Sequence, residues 1–93
     1  MKTLEEFLID NDFELVKSLH NSDVYYNTIL NTIDNNRVTL SILFRKELIR
    51  VSIVKMYSGF DSDDLEIILL ETNNQYSIDR QWLLNTIIQT KRK

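Results

Sequence analysis

Apolar side chains recur at every second position within residues 38–44 and 49–53, and this pattern constrains the fold more than any other feature of the chain. The apolar positions of the alternation are Val38, Leu40, Ile42, Phe44, Ile49, Val51 and Ile53. A period of two residues is that of a β-strand with one buried face. The polar pair Lys46-Glu47 interrupts the pattern and predicts a turn. We therefore predict an antiparallel hairpin whose apolar face is covered by another element.

A third predicted strand precedes this hairpin. Residues 24–33 are rich in strand-forming residues. Residues 34–37 supply Asp and Asn, which tolerate the positive φ angles of a two-residue turn. The only glycine of the chain, Gly59, follows the last strand of the hairpin. Residues 24–57 are therefore predicted to form a three-stranded antiparallel meander.

The N-terminal segment admits two interpretations. Residues 3–6 have the pattern of a capping box, and apolar residues at helical spacing follow it. Residues 10–12 are Asp-Asn-Asp, a poor sequence for a helix centre, so a short helix followed by a strand at residues 13–20 is preferred. The alternative is one helix over residues 4–20, because leucines recur there at helical spacing as well.

The acidic stretch that follows Gly59 is also open to two interpretations. Residues 66–71 have charged ends around an apolar centre, which favours a short edge strand. Alternatively, the aspartates before it begin a helix at residues 63–72. The spacing fails as a calcium-binding loop, because leucine, glutamate and threonine occupy positions five, six and twelve counted from Asp61. No metal site is predicted.

The C-terminal segment is predicted to be an amphipathic helix over residues 78–90. Ser77 is a good N-cap and Asp79 lies in the predicted first turn. Trp82, Leu83 and Ile87 lie on the apolar face of that helix, where they would cover the hairpin. The expected fold is one α+β domain spanning residues 1–93. It has a short N-terminal helix, an antiparallel meander of four or five strands and a C-terminal helix packed on one sheet face.

Catalytic chemistry finds little support in the composition. The chain has no cysteine and one histidine, His20, and its single glycine cannot form a phosphate-binding loop. We therefore expect a non-enzymatic protein without a cofactor. The lack of cysteine and of a basic, apolar N-terminal leader favours a cytoplasmic protein, and no apolar run is long enough to span a membrane.

The expected function is binding to another protein. Four apolar residues have the opposite parity to the predicted core, namely Leu43, Leu48, Val54 and Met56. They would form an apolar streak on the outer sheet face, which suits a homodimer or an unidentified protein partner. Asp61, Asp63 and Asp64 would present negative charge to a basic partner. Such a chain also suits a small accessory or inhibitor protein of a phage or mobile element.

The alternative function is nucleic-acid binding through a basic sheet face. The candidate residues are Arg37, Arg45, Lys46, Arg50 and Lys55, with Tyr25, Tyr26 or Tyr57 able to stack on a base. The charge of the whole chain opposes this hypothesis. Its formal net charge is −3 and its pI is about 5.0, whereas proteins that depend on phosphate contacts are usually basic.

Overall fold

The computed structural model describes residues 3–18, 22–33, 36–56 and 65–91, with the backbone alone at residues 33, 36, 56, 90 and 91. Its elements in chain order are α1 Leu4–Asp10, β1 Glu14–Lys17, β2 Val24–Ile33, β3 Asn36–Arg45, β4 Leu48–Met56, β5 Leu65–Thr72, a one-turn 3₁₀ helix Gln75–Ser77 and α2 Arg80–Lys91. The strands form one antiparallel sheet in the order β1-β2-β3-β4-β5. The predicted α+β class is confirmed, with five strands.

The register of β3 on β4 confirms the alternation that the sequence predicts. Leu40 pairs with Ile53 and Ile42 pairs with Val51, so these side chains share one face, here called the inner face. Leu40, Ile42 and Val51 are fully buried there. The intervening residues point to the opposite side, here called the outer face.

Both helices cover the inner face, and they pack mainly over β2. The buried core they form with the sheet contains Leu4, Leu8, Phe13, Tyr26, Leu30, Leu40, Ile42, Ile49, Val51, Ile78 and Leu83. The Tyr26 and Phe44 rings meet edge to face at 5.4 Å within this layer. Trp82 and Ile87 are partly buried against the core, whereas Ile88 on the same helix is half exposed. Ile88 therefore lies on the side of α2 that faces away from the core.

Helix α1 begins and ends where the sequence predicts. The Thr3 hydroxyl accepts a hydrogen bond from the backbone N–H of Glu6 (3.2 Å) and donates one to its carboxylate (3.0 Å). At the other end Phe13 N–H donates to Leu8 C=O (3.0 Å) and Asp12 N–H donates to Ile9 C=O (3.3 Å). This is a Schellman motif, in which Asp12 adopts φ +67°. The chain then turns into β1, so the preferred helix-then-strand interpretation is correct.

Helix α2 begins two residues later than the sequence predicts. The Asp79 carboxylate accepts hydrogen bonds from the N–H groups of Gln81 (2.9 Å) and Trp82 (3.3 Å), which makes Asp79 the capping residue. The expected cap, Ser77, instead contacts the Thr72 hydroxyl (2.8 Å) and donates to Asn74 C=O (2.7 Å). The prediction was wrong because the hydroxyl of Ser77 is used in the loop that leaves β5.

The open question at residues 65–72 is resolved in favour of a strand. The β5 strand pairs with β4 throughout its length, and Leu69 lies opposite no residue because a β-bulge falls between Leu70 and Ile68.

In the described part of the chain, no helix is long and apolar enough to cross a membrane.

Candidate interaction surfaces

The centre of the outer face carries small polar side chains. Thr39, Ser41 and Ser52 lie on the two central strands and are buried even though both helices lie on the other side. Larger residues on the flanking strands rise around them and leave a depression of about 380 Å³. Its lining residues are Val16, Tyr25, Asn27, Thr39, Ser41, Val54 and Glu66. The centre of the outer face is therefore concave. Small polar residues lie at its floor, but most of its exposed lining is apolar.

The predicted outer streak lies on this face, but it is not an exposed apolar patch. Leu43 is only 5% exposed, because neighbouring outer-face side chains pack around it. Leu48 and Val54 are half buried. Met56 is placed by its backbone alone, opposite Arg37 at the end of the hairpin. The parity of these residues was predicted correctly, whereas their accessibility depends on neighbours that a strand pattern does not reveal.

The most exposed apolar segment lies instead on β5. Leu65 and Ile67 point to the inner face yet are 56% and 62% exposed, because the helices stop short of this strand. Ile68 and Leu69 are also exposed. No strand within the described residues pairs with the far side of β5, so its outward N–H and C=O groups form an open edge. We call the far side of β5, with these four side chains, the open β5 edge.

The opposite edge of the sheet is protected in a way that the open β5 edge is not. Strand β1 has only four residues, Glu14–Lys17, and a charged residue stands at each end. Short length and charge are two devices that prevent edge-to-edge association. Strand β5 has eight residues and contains no lysine, proline or glycine. The apolar run at residues 67–70 correctly predicted an edge strand, but it did not predict that Ile67, Ile68 and Leu69 would be exposed.

Two carboxylates of β5 converge on one arginine of β4 at the outer face. Arg50 lies 3.2 Å from Glu71 (Nε to Oε1) and 3.8 Å from Glu66 (Nη1 to Oε1). The Ser52 hydroxyl donates a hydrogen bond to Glu66 (3.0 Å). Both glutamate side chains remain more than 40% exposed. One cation thus faces two anions, and the cluster keeps a net negative charge.

The basic residues proposed for nucleic-acid contact do not form a free cationic face. Arg45 makes a two-pronged ion pair with Asp23, whose shortest distance is 2.7 Å between Nη2 and Oδ2. Arg50 is held by the two glutamates of β5. Arg37 and Lys55 are exposed at the same end of the β3–β4 hairpin but on opposite faces, and Lys46 is exposed in the turn at the other end. Of the tyrosines proposed to stack on a base, Tyr26 is buried in the core. Within the described residues this leaves Tyr25, which lies on the outer face.

The Asp23–Arg45 pair carries the clearest shift in acidity. The hydrogen bonds from Arg45 lower the pKa of Asp23 below its ordinary value of 3.8, and they outweigh the opposing effect of desolvation. The same bonds raise the pKa of Arg45. Burial raises the pKa of Tyr26, and the negative charge of Glu5 adds to that shift. Asp23 directly precedes β2 and Arg45 is the last residue of β3, so the ion pair ties these two strand ends together.

Asp61, Asp63, Asp64, His20 and Tyr57 lie outside the described residues, and the predictions made for them stay predictions. Within the described ranges, no three acidic or histidine side chains converge as metal ligands would. Comparison with protein-family models, with curated proteins and with solved structures gave no match. The class that the fold defines is a small α+β protein with an open antiparallel sheet.

Proposed function

We propose that this chain is a non-enzymatic protein-interaction module that binds a partner by adding the partner's strand to the open β5 edge. The observation that supports this function is a strand with four exposed apolar side chains whose outward backbone groups pair with no other described strand. Main-chain hydrogen bonds give affinity in strand addition, and alternate side chains give specificity. An added strand also removes apolar surface from water on both faces of the sheet.

Site-specific photo-crosslinking in cells of the source organism tests this proposal. A photoreactive amino acid placed at position 67 on β5 is expected to give a discrete crosslinked product. The same amino acid at position 85, an exposed position on α2, is the matched control and is expected to give none. Equal crosslinking at both positions, or no product at position 67, would contradict strand addition at β5.

Light scattering of the purified chain separates the two kinds of partner. A monomer over a wide concentration range leaves the open β5 edge for a different protein. A dimer that dissociates when β5 carries the edge-blocking change Leu69→Pro would identify a second copy as the occupant, because proline has no N–H to donate and bends the strand.

A further inference from the structure

The open β5 edge specifies the chemistry of the strand it accepts. Strand β4 already pairs with β5 on the other side. Arg50 stands opposite Glu71, and the apolar residues Val51 and Ile53 stand opposite Leu70 and Ile67. Val54 stands opposite Glu66, so β4 offers that carboxylate no directly opposite cation. A strand on the open side meets the same β5 residues in the same order. Its side chains opposite Leu70 and Ile67 face the inner side, where Leu70 is partly covered by the core and Ile67 is exposed, so apolar groups suit these two positions.

The outer-face positions of the same strand meet carboxylates. Arg50 supplies one positive charge for Glu66 and Glu71, and both glutamate side chains remain accessible from the open side. On β4 the residues opposite the two glutamates, Arg50 and Val54, are four residues apart, because the bulge at Leu69 sets two β5 residues against one. A regular strand that follows the same spacing on the open side also places these two positions four residues apart. A Lys or Arg at each of those positions would place a positive charge beside each of the two glutamates.

We propose that the partner of this chain contributes an extended strand of the pattern basic, apolar, any, apolar, basic, with Lys or Arg opposite Glu66 and Glu71. This inference rests on the proposed function of strand addition at β5. The pattern reads the same in both chain directions, so it holds for antiparallel and for parallel addition.

A second copy of the chain does not supply a strand with this basic and apolar pattern. If two β5 strands pair antiparallel over their full length, inner-face residues meet inner-face residues and Glu66 of one copy faces Glu71 of the other. Like charges directly opposite each other destabilise a strand pair. The charge on β5 therefore favours a basic strand from a different protein.

Peptide titration followed by amide chemical shifts tests the inference. One peptide contains Lys-Val-Thr-Ile-Lys and its matched peptide contains Glu-Val-Thr-Ile-Glu. We expect the lysine peptide to shift the β5 amides and to bind about tenfold more tightly at low salt, since two partly exposed charge pairs change sign between the peptides. The difference is expected to shrink at high salt.

Charge variants of the chain complete the test. The double change Glu66→Gln and Glu71→Gln is expected to abolish the preference, and Glu66→Lys with Glu71→Lys to reverse it. Glu14→Lys, on β1 at the opposite edge of the sheet, shifts the net charge by as much as the double glutamine change and is expected to leave the preference intact. Thermal melts of each variant confirm that it is folded.

The possible outcomes separate this inference from the function it rests on. Equal binding of both peptides at β5 would overturn the charge pattern and leave strand addition standing. Shifts at β5 from neither peptide would overturn both. A chain that already pairs with its own copy through β5 would overturn the basic-partner inference and keep the edge as an interface.

Discussion

At the scale of single residues, Asp12 holds a conformation that its side chain does not favour. Its φ of +67° lies in the left-handed region, where a residue with a Cβ is disfavoured and Asp is one of the tolerated types. The sequence indicated that residues 10–12 end the helix. It did not indicate which residue would take the left-handed position, since that depends on Phe13 packing back onto Leu8.

Replacing Asp12 with glycine should stabilise the chain. Asp12→Gly relieves the left-handed strain and is expected to raise the free energy of unfolding by about 0.5–1 kcal/mol. Asp12→Val places a β-branched side chain in the same region and should lower it by about 1–3 kcal/mol. Urea unfolding of the three proteins measures both changes, and a loss of stability in the glycine variant would contradict the assigned turn.

The Asp23–Arg45 pair should make stability depend on pH in the acid range. The folded carboxyl has a lowered pKa, so its contribution is complete above the ordinary value of 3.8 and is lost as pH falls toward the folded-state pKa. In that window the unfolded chain binds a proton that the folded chain does not. Asp23→Asn is expected to flatten the acid slope of a melting-temperature profile between pH 5 and pH 2, and an unchanged slope would contradict the pair.

At the scale of elements, the hairpin strands that were predicted without an alternative are those with one face on the core and the other face away from it. One face of strands β3 and β4 meets the core, so apolar residues occupy every second position there and the pattern is visible in the sequence, although the other face also carries Leu43 and Val54. Strand β5 has apolar residues on both faces and a bulge at Leu69, so its period is broken and helix remained an alternative. Its exposure could not be predicted, because it depends on where the helices end across the sheet.

The start of α2 provides a prediction at this scale. Asp79→Ala removes the acceptor for two backbone N–H groups and is expected to cost about 0.5–2 kcal/mol of stability. Asp79→Asn keeps a capping oxygen and should cost only a few tenths of a kcal/mol. Thermal unfolding measures the difference, and equal losses in both variants would mean that the cap lies elsewhere.

At the scale of the whole molecule, the helix layer covers one part of the inner face and leaves another part open. This uneven cover distinguishes two kinds of apolar residue that look alike in sequence. Leu40 is fully buried beneath the helices, whereas Ile67 on the same face is 62% exposed. The sequence predicted the first as core and gave no means to recognise the second as surface.

Truncating Leu40 and truncating Ile67 to alanine should lower the free energy of unfolding by very different amounts. Leu40→Ala is expected to lower the free energy of unfolding by about 2–5 kcal/mol, which nearly unfolds a domain of this size. Ile67→Ala should cost less than about 1 kcal/mol, because most of that side chain is in contact with water already. Denaturant titration measures both, and similar losses would show that β5 is covered.

Amide hydrogen exchange along β5 tests the open edge most directly. In a monomeric chain the β5 amides alternate between pairing with β4 and facing the open side, so we expect slow and fast exchange to alternate outside the bulge at Leu69. The fast amides should slow when the lysine peptide is added. Uniformly slow exchange from Leu65 to Thr72 in the free monomer would contradict an open edge.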